Sequence, residues 1–277
     1  IRAPAARHNP QAPLTMQTSP IAFLDFLEWT HGVADAGLPA SFTGVCYDSR
    51  ILKPGELFVA LRSPERDGHA YVPAALANGA AAALVAMDWP VPEDLASAPL
   101  IRVADPLAAL ADAARAWRLR SRARIVGLTG SAGKTTTKEL TAALLAADGA
   151  KVAATAGNLN NSIGLPISLL TLAPDTRFGV FETGTNHPGE IARLAGILQP
   201  DAAILTNIGT AHIEHFGTQA GIAQEKGTLF AALPEDGFAV LPLETVCFDA
   251  LKARTSARVL TTSLLSDRAD YHGICLD

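Results

Sequence analysis

The residues best suited to chemistry form one glycine-rich segment, Thr129 to Thr136, with the sequence TGSAGKTT. A β-branched pair precedes it and a run of good helix formers follows it, which predicts a strand, a loop and a helix. Glycines let successive N–H groups turn inward, so that the loop and the helix N-terminus bind anions. Lys134 adds a charge for outer phosphates, and Thr135 adds a hydroxyl for Mg²⁺. The segment therefore predicts a site for a nucleoside triphosphate with magnesium.

The match to the P-loop pattern G-x-x-x-x-G-K-[ST] is incomplete, because Leu128 stands where the first glycine belongs. An ordinary strand-to-helix turn with a stray lysine is disfavoured by the glycines and by Lys-Thr at a helix start. A dinucleotide fingerprint is also disfavoured, since G-x-G-x-x-G spacing is absent. We expect the phosphate contacts to come from Thr129, Gly130, Ser131, Ala132, Gly133, Lys134, Thr135 and Thr136.

The composition of the chain limits the number of domains, the classes of partner and the compartment that can be expected. With 277 residues, 49% of them hydrophobic and 18% charged, the chain has room for about two packed domains. A net charge of -5 argues against a nucleic-acid partner. Cys46, Cys247 and Cys275 lack C-x-x-C spacing and are expected to be free buried thiols in a reducing compartment. With no 18-residue apolar run and no signal peptide, we expect a cytoplasmic protein without a membrane partner.

The chain divides into three parts by pattern. Residues 1–19 are expected to be a disordered lead, with Met16 as a possible true start, and residues 20–120 form a first α/β unit. In that unit Leu57–Ala60, Ala83–Ala86 and Leu100–Val103 are predicted strands, and segments 21–29 and 71–78 are predicted helices. A further helix begins after Asp105 as its N-cap. The arginines from 118 to 124 are interpreted as its cationic end and a linker, in preference to a nucleic-acid patch.

Strands and helices alternate through residues 121–277, which predicts an α/β domain with a parallel sheet and ligands at the carboxyl ends of its strands. The predicted strands are Ile125–Leu128, Val152–Thr155, Phe178–Glu182, Ala202–Thr206 and Phe238–Leu241. The predicted helices lie near 134–147, 188–198 and 219–232.

Polar side chains at the same edge of this sheet are further candidates. Asn158, Asn160 and Asn161 exceed the needs of a turn, and their amides suit a polar ligand. Glu182 ends an apolar strand, where a buried carboxylate needs a partner. Magnesium is favoured over a salt bridge to an unidentified lysine or arginine. For Asn186, a role as the cap of a helix starting at Pro188 and a role in ligand binding are equally supported.

His212 and Lys226 are ambiguous on chemistry alone. Imidazole is not a preferred ligand of Mg²⁺, so a satisfied loop histidine is the simplest interpretation of His212. Lys226 lies on a predicted helix and by itself is most simply a surface lysine. Neither residue would be assigned to the site from its own pattern.

Taken together, the motifs resemble the ATP-dependent Mur ligases of peptidoglycan synthesis. The segments that carry the resemblance are TGSAGKTT, GNLNNSIGLP, ETGTNHPGEI, TNIGTAHIEHFG and AQEKGTLF, together with YDSR, KPG and LFVAL in the first unit. The pairs Asn160-Asn161 and Asn186-His187 resemble the branch that adds D-alanyl-D-alanine. The resemblance covers residues 42 to 277 and implies a small N-terminal UDP-muramyl-binding domain followed by a P-loop ATPase domain.

The resemblance implies roles by position. Lys134 and Thr135 would hold the ATP phosphates and a first magnesium ion. Glu182 would bind magnesium, and His212 would join a second magnesium site together with a carbamoylated Lys226. Lys134, His212 and Lys226 are thus the implied catalytic residues. The residues implied in binding the UDP-N-acetylmuramoyl-tripeptide are Asp48, Ser49, Arg50, Asn158, Asn161, Asn186 and His187.

The implied reaction activates the peptide carboxylate as an acyl phosphate, which the amine of D-Ala-D-Ala then attacks. Members of this family continue well beyond residue 277, so we expect the ATPase domain to be incomplete at its C-terminus. We expect these 277 residues to be a monomer that does not ligate alone and does not fold stably. Three alternatives stay open: another Mur or folylpolyglutamate-type ligase with a different acceptor, a noncatalytic nucleotide-binding partner subunit, and a P-loop small-molecule kinase.

Overall fold

The computed structural model describes residues 19–35 and 37–273 of the chain. The strands in these ranges are β1 (Ile21–Ala22), β2 (Val33–Ala34), β3 (Ser41–Phe42), β4 (Val45–Cys46), β5 (Leu57–Val59), β6 (Arg62–Ser63), β7 (Arg66–Asp67), β8 (Ala82–Ala86), β9 (Leu100–Val103), β10 (Arg124–Thr129), β11 (Val152–Ala154), β12 (Phe178–Glu182), β13 (Ala202–Leu205), β14 (Phe238–Pro242), β15 (Arg258–Ser263) and β16 (Tyr271–His272). The α-helices are α1 (Phe23–Thr30), α2 (Val72–Ala77), α3 (Pro106–Arg120), α4 (Lys134–Ala146), α5 (Gly164–Leu169), α6 (Glu190–Leu198), α7 (Ile213–Phe216), α8 (Gln219–Gly227) and α9 (Phe248–Lys252).

The predicted parallel sheet is confirmed. Its seven strands run in the order β11-β12-β10-β13-β14-β15-β16, and every pairing is parallel. The strands predicted within residues 125–241 are present with ends shifted by a residue or two. β15 and β16 were not predicted, because their polar and partly exposed residues carry no long apolar run. They extend the sheet at one edge, where burial is lower than at its centre.

The register of this sheet brings three strand ends together. β10 lies between β12 and β13, with Leu128 opposite Glu182 and Thr129 opposite Leu205. Because the pairings are parallel, the loops that follow these three strands leave the sheet at the same edge. The strand order thus places the glycine-rich loop between the segments that begin at Thr183 and Thr206.

The N-terminal residues build a second sheet in the order β2-β9-β8-β5-β4, with β2 antiparallel and the other pairings parallel. The strands and the two helices predicted in this unit are confirmed, although Ile21 and Ala22 form a short strand before α1 begins at Phe23. α3 begins as predicted, with Asp105 Oδ1 accepting the N–H of Leu107 at 2.9 Å. Two predicted helices of the larger sheet are shorter than expected: one begins at Glu190, and α8 ends at Gly227.

One hydrophobic cluster joins the two sheets through α3. Leu110 and Ala114 on this helix are fully buried and belong to the same cluster as Phe26 in α1 and Leu169 in α5. Trp117 adds a polar contact, because its Nε1–H donates to the Leu172 carbonyl at 3.0 Å. Helix α3 therefore packs against elements from both parts of the chain.

The arginines at the end of α3 form structural contacts. Arg118 is buried and donates to the carbonyls of Leu198 and Gln199 at 3.1 and 2.9 Å and to Asp201 at 2.9 Å. Arg124 pairs with the same carboxylate at 3.1 Å. This carboxylate also accepts the N–H of Ile125 at 2.7 Å, so it ties α3 to the first residues of β10. The interpretation of this basic stretch as a helix end and linker agrees with these contacts.

Two of the three cysteines lie within the described residues. Cys46 is buried as expected, Cys247 is only partly buried, and both thiols are free. Cys275 and the predicted disordered lead up to residue 18 lie outside the described residues. Among the helices of residues 19–35 and 37–273, none combines the length and the apolar character that a bilayer crossing requires.

We predict that Arg118→Ala lowers the free energy of unfolding by about 3–5 kcal/mol, because it leaves two carbonyl oxygens and a carboxylate without their buried donor. Arg62→Ala is the matched control, since Arg62 forms an exposed pair with Asp88 and should cost at most about 1 kcal/mol. Urea denaturation of both variants measures the difference. Equal losses would show that Arg118 does not hold α3 on the sheet.

Candidate nucleotide and substrate site

The glycine-rich loop leaves β10 in a conformation that requires glycine. Gly130 has φ +154°, and a Cβ at this position would lie 1.8 Å from Thr206 Oγ1. Gly133 has φ +77° and stands directly before the first residue of α4. Thr129 is fully buried, and its hydroxyl donates to the Thr183 carbonyl at 3.2 Å. These positions give the loop the sharp turn that the sequence predicts.

Residues 206–209, which follow β13, hold the glycine-rich loop in place through hydrogen bonds. Asn207 Oδ1 accepts the N–H groups of Ser131 and Ala132 at 3.1 and 2.9 Å, and the Thr206 hydroxyl donates to the Ala132 carbonyl at 2.6 Å. The N–H of Gly209 donates to Ser131 Oγ at 2.9 Å. The sequence analysis gave Asn207 no role. The available signal was a Thr-Asn pair directly after an apolar strand.

The start of α4 presents free donors to the loop. The first intrahelical bond runs from Thr137 to the Gly133 carbonyl at 3.0 Å, so the N–H groups of the preceding turn have no acceptor within the helix. Thr135 and Thr136 are exposed on this turn. The helix dipole adds partial positive charge here. The loop and the helix start therefore favour a phosphate group.

Two lysines from distant parts of the chain meet at one oxygen atom. The Nζ atoms of Lys134 and Lys226 donate to the Gly130 carbonyl at 2.8 and 3.1 Å. Burial, together with the charge of Lys134, lowers the pKa of Lys226 to about 8. Burial also lowers the pKa of Lys134, although the Glu182 carboxylate opposes that shift. The interpretation of Lys226 as a surface lysine is wrong, since its side chain is 4% exposed.

Lys226 is held in place by its neighbour in the sequence. Glu225 is buried, and its carboxylate accepts the N–H groups of Gly189 and Ile191 at 2.8 Å each. These groups lie at the start of α6, where intrahelical acceptors are missing. The carboxylate thus fixes α8 against the loop that carries Asn186. The sequence gave no signal for this contact, because the two segments are brought together only by the sheet topology.

In the described residues, Glu182 carries a buried carboxylate oxygen that accepts no hydrogen bond. Its side chain is 1% exposed, and Oε1 has no hydrogen-bond partner within the described residues. The nearest cation is Lys138, whose Nζ lies 3.7 Å away, beyond hydrogen-bond distance. The unidentified lysine considered in the sequence analysis is therefore present, but it leaves Oε1 unsatisfied. A carboxylate oxygen in this state fits a metal ion.

The donor set fits a magnesium ion that arrives with a nucleotide. Such ions use one or two carboxylates and complete their shell with phosphate and water oxygens. Glu182 supplies the carboxylate, and Thr135 supplies an exposed hydroxyl at the helix start. No group of three or more His, Cys, Asp or Glu side chains in the described part of the chain is arranged to hold a metal alone. Phosphate oxygens would therefore be needed to complete the shell.

A cavity of about 360 Å³ adjoins the loop. Five of the residues predicted from the sequence line it, and they come from four segments of the chain: Lys134, Asn158, Asn161, Asn186 and His212. Asn160, which the sequence analysis considered with the neighbouring asparagines, also lines the cavity. Sequence reasoning gave no individual role to the other lining residues, which are Ser162, Gly184, Thr185, Glu190, Arg193 and Leu194. The cavity is therefore lined mainly by amides and hydroxyls, together with two cationic side chains, Lys134 and Arg193, and the carboxylate of Glu190. It suits a polar, anionic substrate next to the phosphate loop.

The role of Asn186 as a helix cap is wrong. The helix begins at Glu190, two residues later than that role requires, and Asn186 lines the cavity instead. The Glu190 carboxylate accepts the N–H groups of Asn186 and His187 at 2.6 and 3.1 Å, which fixes this loop. The His187 ring lies outside the cavity lining and stacks on the ring of His215, with centroids 4.4 Å apart.

His212 adopts a left-handed backbone conformation, with φ 60°, directly before α7. His212 is exposed and lines the same cavity as the asparagine segment. The structure therefore brings His212 to the same cavity as Lys134. The imidazole is available to a ligand in that cavity.

Asp48, Ser49 and Arg50 lie in the N-terminal unit and do not line the cavity. The exposed Arg50 guanidinium forms two bonds to the Asp48 carboxylate, at 2.9 and 2.6 Å. These bonds hold the pKa of Asp48 at about 2. Ser49 is buried, and its carbonyl accepts Asn78 Nδ2 at 2.9 Å. Arg50 is thus a positioned surface cation in the turn that follows β4.

The glycine loop at the carboxyl edge of a parallel sheet defines a P-loop nucleotide-binding domain. Comparison with known families is consistent with this class: the Mur ligase middle domain matches residues 128–273, and the Mur ligase family catalytic domain matches residues 41–118. The chain belongs to the Mur ligase family.

Two curated relatives carry the same ligase name. The UDP-N-acetylmuramoyl-tripeptide--D-alanyl-D-alanine ligase of Escherichia coli (strain K12) is 44% identical over 205 residues, which are 74% of this chain and 44% of that protein. The ligase of the same name from Synechocystis is 44% identical over 232 residues, which are 83% of this chain and 50% of that protein. The chain thus spans about half the length of the curated relatives it matches.

Solved structures of MurF ligases also superpose on this chain. MurF from Acinetobacter baumannii superposes with a TM-score of 0.83 at 30% identity, covering 92% of this chain and 55% of that one. MurF ligase from Thermotoga maritima in complex with ADP superposes with a TM-score of 0.70 at 32% identity, covering 80% and 51%. The fold of this chain is therefore that of the corresponding part of these ligases.

We predict that Gly130→Ala weakens the binding of ADP with Mg²⁺ at least about tenfold, because its Cβ would displace Thr206 and reshape the loop. Gly133→Ala is the matched control: it also has a positive φ, but its Cβ meets open space. Isothermal titration of both variants measures the affinities. A larger loss in Gly133→Ala would contradict this account of the loop.

Proposed function

We propose that this protein takes part in ATP-dependent amide bond formation, adding D-alanyl-D-alanine to UDP-N-acetylmuramoyl-tripeptide in peptidoglycan synthesis. One observation carries the proposal: the two lysines on the Gly130 carbonyl, the unsatisfied Glu182 oxygen and the polar cavity are adjacent. The names of the similar proteins favour this acceptor over those of other ligases. They also favour a ligase over a kinase or a noncatalytic subunit.

In the proposed reaction, the loop amides and Lys134 hold the outer phosphates of ATP. The peptide carboxylate attacks the γ-phosphate from the side of the cavity, where Asn158, Asn161 and Asn186 would orient the peptide through amide hydrogen bonds. The attack forms an acyl phosphate and releases ADP. The amine of D-Ala-D-Ala then attacks the acyl carbon, loses a proton and displaces inorganic phosphate. Fixed positive charge from Lys134 stabilises the negative charge that develops on the transferred group.

Glu182 and Thr135 would hold a first magnesium ion, and His212 would belong to a second site with Lys226. Magnesium would supply neutralisation of phosphate charge when bound. A carbamate on Lys226 would convert the buried ammonium into an anionic oxygen ligand. The position of Lys226 beside the phosphate loop and its lowered pKa support this modification.

The N-terminal unit would bind the UDP part of the substrate. The Arg50 guanidinium is 82% exposed and is oriented by Asp48, which suits recognition of a diphosphate. Ser49 and the ring of His187 would complete the contacts with the substrate. We also place the protein in the cytoplasm as a monomer, in line with the free thiols of Cys46 and Cys247.

We predict that Lys134→Ala and Arg50→Ala separate the two binding functions. Lys134→Ala should weaken Mg²⁺–ADP binding by about 1.5–3 kcal/mol, the range for a charge-assisted contact, and leave UDP-N-acetylmuramoyl-tripeptide binding unchanged. Arg50→Ala should give the reverse pattern. Titration calorimetry with each ligand measures both. The assignment fails if both variants lose the same ligand.

We predict a carbamate on Lys226 that depends on bicarbonate and pH. The neutral amine reacts with CO₂, and a pKa of about 8 leaves an appreciable neutral fraction near neutral pH. With ¹³C-bicarbonate, NMR should show a carbamate resonance that Lys226→Arg lacks and that weakens as the pH falls below 7. Lys252→Arg, at an exposed position of α9, should leave the resonance unchanged. A wild-type spectrum without the resonance refutes the modification.

A further inference from the structure

Lys138 is a buried cation that the proposed reaction does not use. It is 1% exposed and ranks among the largest fully buried side chains in the described residues. It lies one helical turn after Lys134 on α4, so both lysines project from the same side of the helix. Lys134 reaches the loop carbonyl, whereas Lys138 points between the ends of β11 and β12.

The contacts of Lys138 account for two of its three protons. Nζ donates to the Thr155 carbonyl at 2.7 Å and pairs with Glu139 Oε1 at 2.8 Å. Glu182 Oε1 also lies within ion-pair distance of Nζ, at 3.7 Å. Thr155 closes the group, because its hydroxyl oxygen accepts the N–H of Glu182 at 2.9 Å. Lys138 and the main chain of Glu182 are thus bound to the same residue.

The charge of Glu182 requires a compensating cation in the absence of metal. A carboxylate that is 1% exposed is unfavourable unless it is paired or hydrogen-bonded, and Oε1 has no hydrogen bond among the described residues. Lys138 is the cation within ion-pair distance of that oxygen. At 3.7 Å it compensates the charge without occupying the coordination position of the oxygen. The oxygen stays open to a second cation.

We propose that Lys138 is the resident counter-ion of Glu182 and its positioning residue. It holds the carboxylate at the end of β12 while the site is free of metal, and it gives up its role as the main compensating charge when magnesium enters with the nucleotide. This inference rests on the proposed function, because Glu182 is there the magnesium ligand. It predicts that metal and lysine act as alternative compensating charges for one carboxylate.

The test measures melting temperatures of wild type, Lys138→Met, Glu182→Gln and the double variant, each with EDTA and each with saturating Mg²⁺–ADP. In EDTA, Lys138→Met should lower Tm by about 10 °C, because it leaves a buried carboxylate uncompensated. Adding Glu182→Gln should recover at least half of that loss. With Mg²⁺–ADP, the deficit of Lys138→Met should shrink to less than half, whereas ADP with EDTA should not reduce it.

Lys151→Met is the matched control, since Lys151 pairs with Asp175 in an exposed position near the same sheet. Its Tm should stay near that of wild type in both conditions. If Lys138→Met does not fold alone, the double variant should still fold. Additive losses, an equal deficit with and without Mg²⁺–ADP, or a double variant that also fails to fold would each overturn the inference. Failure of Mg²⁺–ADP to stabilise wild type would instead count against the proposed function, while the metal-free comparison would still decide the role of Lys138.

Discussion

The carbonyl oxygen of Gly130 is the point on which the site depends, because the ammonium groups of Lys134 and Lys226, which lie far apart in the chain, both bind it. Lys134 is the first residue of α4, the helix that follows the loop, and Lys226 lies on α8. Like charges approach this closely only where a strong acceptor and nearby carboxylate charge offset their repulsion. Glu182 supplies part of that charge beside Lys134. The loop is therefore a centre of positive charge that favours an anionic ligand.

Two hydrogen-bonded carboxylates fix the elements around this centre. Glu225 binds two N–H groups at the start of α6, which anchors α8 and with it Lys226. Asp201 binds Arg118, Arg124 and the N–H of Ile125, which anchors α3 at the beginning of β10. Each of these carboxylates is satisfied by hydrogen bonds. Glu182 differs from them in having a buried oxygen without one, and this difference separates a structural carboxylate from one that awaits a cation.

The two sheets contribute different parts of the proposed chemistry. The seven-stranded sheet carries the phosphate loop and the amide-lined cavity, whereas the turn after β4 of the smaller sheet carries Arg50. Helix α3 packs against both, and its core residues belong to one continuous cluster. A substrate that extends from a nucleotide diphosphate to a peptide carboxylate would need both parts. The similarity to ligases that join such a substrate to D-alanyl-D-alanine agrees with this division.

Local sequence by itself determined the phosphate loop, the alternating strands and the start of α3, since each depends on glycine conformation, hydrophobic period or a capping side chain near in the chain. It also marked Glu182, because a carboxylate that ends an apolar strand is unusual. Only the tertiary structure decided that Lys226 is buried, that Glu190 rather than Pro188 begins α6, and that Asn207 supports the loop. Lys138 gave no sign of its role, because on a helix pattern it is one more lysine. These outcomes depend on parallel pairing, which places the ends of β10, β12 and β13 at one edge and brings distant charges within a few ångströms.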